Sequence, residues 1–141
     1  MLAGGQNDNG KGVWAGRLGL QVESSPPQSF SAGFELKGNP KAGELALFNP
    51  LGGTLAVLSW DQDSATLRSG SQTSQFESLD ALVSRVAGTA IPVAALFDWL
   101  AGTNTPVAGW QADLSQLAQG RIRAQRMDPA PAADLRLALE R

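Results

Sequence analysis

The sequence predicts a mostly β fold, α+β or an antiparallel β-barrel capped by helices, and three observations point there. Apolar residues recur with period two through most of the chain. Two segments near the middle switch to the helical i, i+3, i+4, i+7 spacing. Sixteen glycines and eight prolines cut the 141 residues into short pieces. The resulting order is strands, then two helices, then strands. A chain of 141 residues is long enough to bury one sizeable core.

Residues 1–12 (MLAGGQNDNGKG) are polar and glycine-rich and read as a flexible lead-in, leaving 13–141 as a single domain. In VWAGRLGLQVE, Leu18, Leu20 and Val22 alternate with Arg17, Gly19 and Gln21, a strand with one buried face. Ser24-Ser25-Pro26-Pro27 turns the chain into SFSAGFELKG, where Phe30, Ala32, Phe34 and Leu36 share a face. GNPKAG supplies the next turn before ELALFN, and TLAVLSW (54–60) is apolar enough to be expected under cover on both faces. SATLRS and QTSQFES follow as two shorter, more polar strands.

At Ser78 the period changes. Leu79, Leu82, Val83 and Val86 have helical spacing, with Ser78 as N-cap, Asp80 in the first turn and Gly88 as the terminating glycine. A second helix begins at Pro92, buries Val93, Leu96, Phe97 and Leu100, and stops at Gly102. GWQADLSQ, GRIRAQRMD and ADLRLALER complete the set of strands.

Cysteine, histidine and tyrosine are absent. Disulfides, thiolate nucleophiles, zinc sites built on Cys or His, and Ser-His-Asp triads are therefore excluded, and no cofactor or metal is expected. Acid–base chemistry would rest on carboxylates alone, yet Asp61 and Asp63 fall in a turn, where Asp favours local hydrogen bonds, and Asp98 falls on the solvent side of its helix. The chain is expected not to be an enzyme. A net charge of −2 argues against nucleic acid as a partner. That charge is uneven: residues 42–116 carry seven acids against Arg68 and Arg85, and 117–141 carry five arginines against three acids. No run approaches the ~20 apolar residues of a membrane-spanning helix, and Met1 to Gly5 do not form a signal peptide.

FNPLGGT (48–54) is unusual. Asn-Pro and Gly-Gly are turn formers, so Pro50, Leu51 and Gly52 place a leucine where hairpin tips usually carry a polar residue. The apolar sheet face could hold one lipophilic ligand, or its side chains could simply fill the interior.

ELALFNPLGGTLAVL (44–58) and AGTAIPVAALFDWLAG (87–102) together resemble the outer-membrane lipoprotein receptor LolB family. A strand running into N-P-L-G and back out is matched by Asn49, Pro50, Leu51 and Gly52. The later helix is matched by Ile91, Pro92, Val93, Leu96, Trp99, Leu100 and Gly102. WAGRLGLQV (14–22) is similar to the family's first strand and DLRLAL (134–139) to its last. The resemblance implies an incomplete, curved antiparallel barrel with two short helices in or over its mouth. It implies a protein anchored through a lipidated cysteine to the periplasmic face of the outer membrane. Such a protein accepts acylated lipoproteins from the periplasmic carrier LolA and inserts them into the inner leaflet of that membrane, with Leu51 protruding to promote insertion. The 141 residues, lacking cysteine, are themselves expected to be soluble and monomeric. Candidates for the acyl cavity are Leu18, Leu20, Phe34, Leu36, Val57, Leu96, Trp99 and Leu100. Arg121 and Arg123, which share a strand face, are candidates for contact with the carrier or with lipid head groups. The alternative is a generic lipophile-binding or structural barrel without transfer activity.

Overall fold

A computed structural model describes residues 12–87, 90–128 and 130–140. Along the chain these form β1 (Gly12–Val22), β2 (Gln28–Asn39), β3 (Ala42–Phe48), β4 (Thr54–Trp60), β5 (Ala65–Ser69), β6 (Gln72–Phe76), α1 (Leu79–Ala87), α2 (Val93–Leu100), β7 (Trp110–Asp113), a short 3-10 turn (Leu117–Gln119), β8 (Arg121–Arg126) and β9 (Ala133–Leu139). The strands make one nine-stranded sheet in the order β6-β5-β4-β3-β2-β1-β9-β8-β7. Among the described residues its terminal strands, β6 and β7, each have a single partner, so the sheet does not close, and the fold is the open antiparallel form expected of an incomplete barrel. Most of the lead-in and Gly88 lie outside the described residues, while Gly12 is already in β1.

Two compact units are distinguishable among the described residues, one formed by those of 12–15 and 33–93, the other by those of 16–32 and 94–140. In the first, antiparallel register aligns Leu36, Leu45, Leu58 and Leu67 across β2 to β5, and Phe34, Leu47 and Ala56 in the neighbouring row. Period two puts both rows on one face, where Phe34, Leu36, Leu47 and Leu58 are buried. Trp60 covers Gly43 across the β3–β4 ladder and donates its indole N–H to the Asn39 carbonyl at 2.9 Å. A glycine is suited to that position because a Cβ there would run into the Trp60 ring.

The β4 strand departs from expectation. Ala56, Leu58 and Trp60 face the core, but Leu55 is 38% exposed and Ser59 is open to solvent, so only one face is covered. Neighbours decide this, because Val57 pairs with Ala46 and Arg68, whose row continues to Glu35, and a face carrying those charges stays in water.

Helix α1 packs against β5 and β6. Ser78 caps it as expected, its hydroxyl oxygen accepting the Ala81 N–H at 3.0 Å. Leu82 is fully buried, whereas Val86, assigned by its spacing to the same stripe, is 42% exposed.

In the second unit, Leu18, Leu137 and Ile122 align across β1, β9 and β8, Leu20, Leu135 and Ala124 form the next row, and Val22, Ala133 and Arg126 the third. Helix α2 starts at Val93, directly after Pro92, and ends as expected at Gly102, whose φ of 96° is left-handed. The Thr103 N–H reaches the Asp98 carbonyl at 2.9 Å and the Gly102 N–H reaches that of Trp99 at 3.0 Å, the paired bonds of a Schellman cap. More of α2 is covered than one stripe: Ala95 and Trp99 are buried together with Val93, Phe97 and Leu100.

Candidate functional site

The β3–β4 hairpin ends in a closed tip. The Asn49 N–H donates to the Gly53 carbonyl at 2.9 Å, and the Gly52 N–H returns to the Asn49 carbonyl at 2.9 Å. Asn49 Oδ1 accepts two further backbone donors, Leu51 N–H at 2.9 Å and Gly53 N–H at 3.0 Å. Pro50 occupies the second turn position, where its fixed φ fits, and Gly52 takes a φ of 91°, open to glycine at little cost. The Leu51 side chain is 96% exposed and finds no cover on its own sheet. Leu55, at the start of β4, adds a second exposed apolar side chain to the same hairpin.

A comparison within the chain shows that the turn itself does not require a leucine. The β2–β3 turn is also Asn-Pro: Asn39 Oδ1 accepts the Lys41 N–H at 2.8 Å and the Ala42 N–H at 3.1 Å. There the residue after proline is an exposed lysine. The two turns share the bond that the N–H two residues on donates to the asparagine Oδ1, and that residue is lysine in one and leucine in the other, so this bond does not demand a leucine.

The remaining acyl-cavity candidates separate by unit. Phe34 and Leu36 share the buried face of the first unit with Leu47 and Leu58, whereas Val57 lies on the opposite, charged face and is not brought to them. In the second unit Leu20 is buried and Leu18 half-buried on a face that also carries Ile122, Leu135 and Leu137. Leu135 and Leu137 were visible as an alternating strand, but joining them to Leu18 and Leu20 required the pairing of the first and last strands, which no local pattern encodes.

On α2, Trp99 and Leu100 are buried and Leu96 is half-buried. The Trp99 indole N–H donates to the Thr105 carbonyl at 3.0 Å, and its ring meets Trp110 at 6.4 Å between centroids, tilted by 48°. Arg126, buried in the same region, lies 5.8 Å from the Trp110 ring centroid and donates to the Pro131 carbonyl at 2.8 Å through Nη2. The apolar rows of this unit thus end on a Trp99–Trp110–Arg126 group, the two rings tilted against each other, that keeps a buried cation satisfied.

Arg121 and Arg123 are exposed on the other face of β8. Arg123 makes a bidentate pair with Asp134, Nη2 to Oδ2 at 2.9 Å and Nε to Oδ1 at 3.2 Å, and Arg136 reaches the same carboxylate at 3.3 Å. The Arg123 guanidinium holds the Asp134 carboxyl below the usual carboxylate range, against a smaller upward push from partial burial.

The carboxylates considered for catalysis have structural partners. Asp61 Oδ1 accepts the Asp63 and Ser64 N–H groups at 2.8 and 2.9 Å, closing the β4–β5 turn, and Asp98 Oδ2 accepts the Thr105 hydroxyl at 2.8 Å. Among the described residues no cluster of acidic side chains could hold a metal ion.

An open antiparallel sheet with buried apolar rows in each unit, two short helices and an exposed leucine tip define a β-rich half-barrel protein. The family model of the outer membrane lipoprotein LolB matches residues 13–129. The Outer-membrane lipoprotein LolB of Bordetella petrii is 30% identical over 149 aligned positions, covering 88% of this chain and 75% of that protein. The chain belongs to the LolB family, a family of outer-membrane lipoproteins concerned with lipoprotein transport.

Proposed function

We propose that this chain accepts acylated lipoproteins from a soluble periplasmic carrier and delivers them to the outer membrane. The acyl chains are taken up along the apolar sheet face, and Leu51 enters the lipid to promote delivery. Leu51 at 96% exposure on a tip held by Asn49 is the observation that carries this reading. A leucine entering the acyl boundary gains at most about 1.5–3 kcal/mol, too little to anchor a protein but enough to bias a docking step.

Acyl chains lose about 0.8 kcal/mol per CH₂ when exposed to water, so a triacylated lipid travels inside an apolar site. Phe34, Leu36 and Leu20 lie at 4–6% exposure, already under their own chain, and acceptance therefore displaces covering side chains or helices. Helix α2, whose buried Trp99 donates its indole N–H to the Thr105 carbonyl and meets the Trp110 ring, supplies such a cover for its own unit. Passage from carrier to receptor to membrane without chemical energy needs only rising affinity at each step, and a cover that opens at a cost keeps the receptor's affinity intermediate.

The test is transfer of a triacylated lipoprotein from the purified carrier to liposomes in the presence of this chain. Leu51→Glu is expected to accept the lipoprotein normally and to release it to liposomes at least about tenfold more slowly, the factor that corresponds to ~1.4 kcal/mol. Equal delivery by both proteins would remove Leu51 from the mechanism.

A further inference from the structure

The outward face of the second unit carries a feature that acyl binding does not use. Across β8, β9 and β1, register places Arg121, Ala138 and Arg17 in one row and Arg123, Arg136 and Gly19 in the next. All four arginines are exposed. They line a trough of about 570 Å³ whose floor has little side chain, because Ala138 and Gly19 stand between them. A Cβ added at Gly19 would meet nothing within 4 Å, so that side of the trough is open.

Charge in the trough is not balanced internally. Asp134 is engaged by Arg123 and Arg136, and Asp113 sits opposite Arg123 at the rim. Arg17 and Arg121 have no carboxylate partner among the described residues. With two strand spacings between them, their backbones are about 10 Å apart, and the long side chains can close on one anion from both sides.

We propose that this trough binds the phosphodiester head group of an anionic phospholipid, held by the Arg17 and Arg121 guanidiniums, with Arg123 and Arg136 fixed beside them by Asp134. Guanidinium forks match phosphate oxygens bidentately, and a concave floor of glycine and alanine admits a head group where a flat acidic protein surface would not reach. The choice of a lipid over a soluble phosphate rests on the membrane-facing role proposed for Leu51. Four arginines on one face also give a surface attraction that salt weakens.

The experiment is sedimentation of the full chain with phosphatidylcholine vesicles that contain phosphatidylglycerol, against vesicles of phosphatidylcholine alone. The wild type, Arg17→Gln/Arg121→Gln and Leu51→Glu are compared at low and high salt. Neither arginine has an ion pair among the described residues, and circular dichroism checks that the double variant is folded. The proposal expects the double variant to bind roughly thirtyfold less tightly, the loss expected for removing two basic residues from an anionic lipid surface. Leu51→Glu should keep most of its salt-sensitive binding, so failure of the insertion reading and failure of the head-group site give different patterns. Unchanged binding by the double variant overturns the proposal. So does full competition by millimolar inorganic phosphate, which would assign the trough to a soluble ligand. Loss of carrier binding with vesicle binding intact would assign it to an acidic protein and overturn it as well.

Discussion

Asn49 Oδ1 accepts the backbone N–H of Leu51 at 2.9 Å, and through a second bond to the Gly53 N–H at 3.0 Å it spans the whole tip on which that leucine stands. The most exposed large apolar side chain among the described residues therefore sits on one of the better-restrained turns of the chain. A mobile leucine would lose conformational freedom on entering lipid; a held one has already lost much of it.

Asn49→Ala removes both side-chain bonds while leaving Leu51 in place. Unfolding free energy should fall by about 1–2 kcal/mol, two exposed hydrogen bonds at about 0.5–1 kcal/mol each. Delivery to liposomes should slow although the leucine remains. Asn49→Asp retains the acceptor oxygen and should recover most of the stability in chemical denaturation, which separates loss of the turn from loss of bulk.

Leu51→Lys copies the residue found at the equivalent place in the Asn39-Pro40 turn, so the backbone is expected to tolerate it with a change in stability within about 0.5 kcal/mol. Delivery should drop as for Leu51→Glu on neutral vesicles. A thermal midpoint displaced by several degrees would show instead that Leu51 contributes to folding.

Gly102→Ala forces a Cβ into φ of 96°, at the end of the Schellman cap. The expected cost is roughly 1 kcal/mol or somewhat more, read as a lowered denaturation midpoint. Gly19→Ala, with nothing within 4 Å of the added Cβ and an ordinary strand conformation, should be close to neutral or slightly stabilising and is the matched control.

The Asp134 carboxyl is depressed by its hydrogen bonds with Arg123 and Arg136. Its folded pKa lies below the unfolded value of about 3.9, so its contribution to stability is present above pH ~4 and is lost as pH falls through the folded value. The Asp134 carboxylate is half-buried but its arginine partners are open to solvent, and the contribution is about 0.5–1 kcal/mol after screening. Asp134→Asn should therefore flatten the fall in stability between pH 5 and pH 3, measured by urea denaturation at each pH.

Much of the fold could be read locally. The alternation of Leu18, Leu20 and Val22, the switch of period at Ser78, and the Gly102 stop each follow from interactions within a few residues. What escaped reading was set by pairing at long range. Val57 looked like another apolar lining residue until β3 and β5 aligned it with Ala46 and Arg68 on the water side. Arg121 and Arg123 were visible as a pair on one strand, but Arg17 and Arg136 joined them only because β9 lies between β1 and β8, bringing residues more than a hundred positions apart into one row. The leucine tip was legible because its whole geometry is contained in five residues.

The measurement that tests the central claim most directly is a titration of the intrinsic tryptophan fluorescence with a triacylated lipopeptide, against the same peptide without acyl chains. Trp99 and Trp110, buried or half-buried at the end of the apolar face and in contact with each other, report any opening of α2. The account predicts a saturable change that requires the acyl chains. No change with either peptide, or the same change with both, would contradict acceptance of the lipid and leave an apolar face that serves only to hold the fold together.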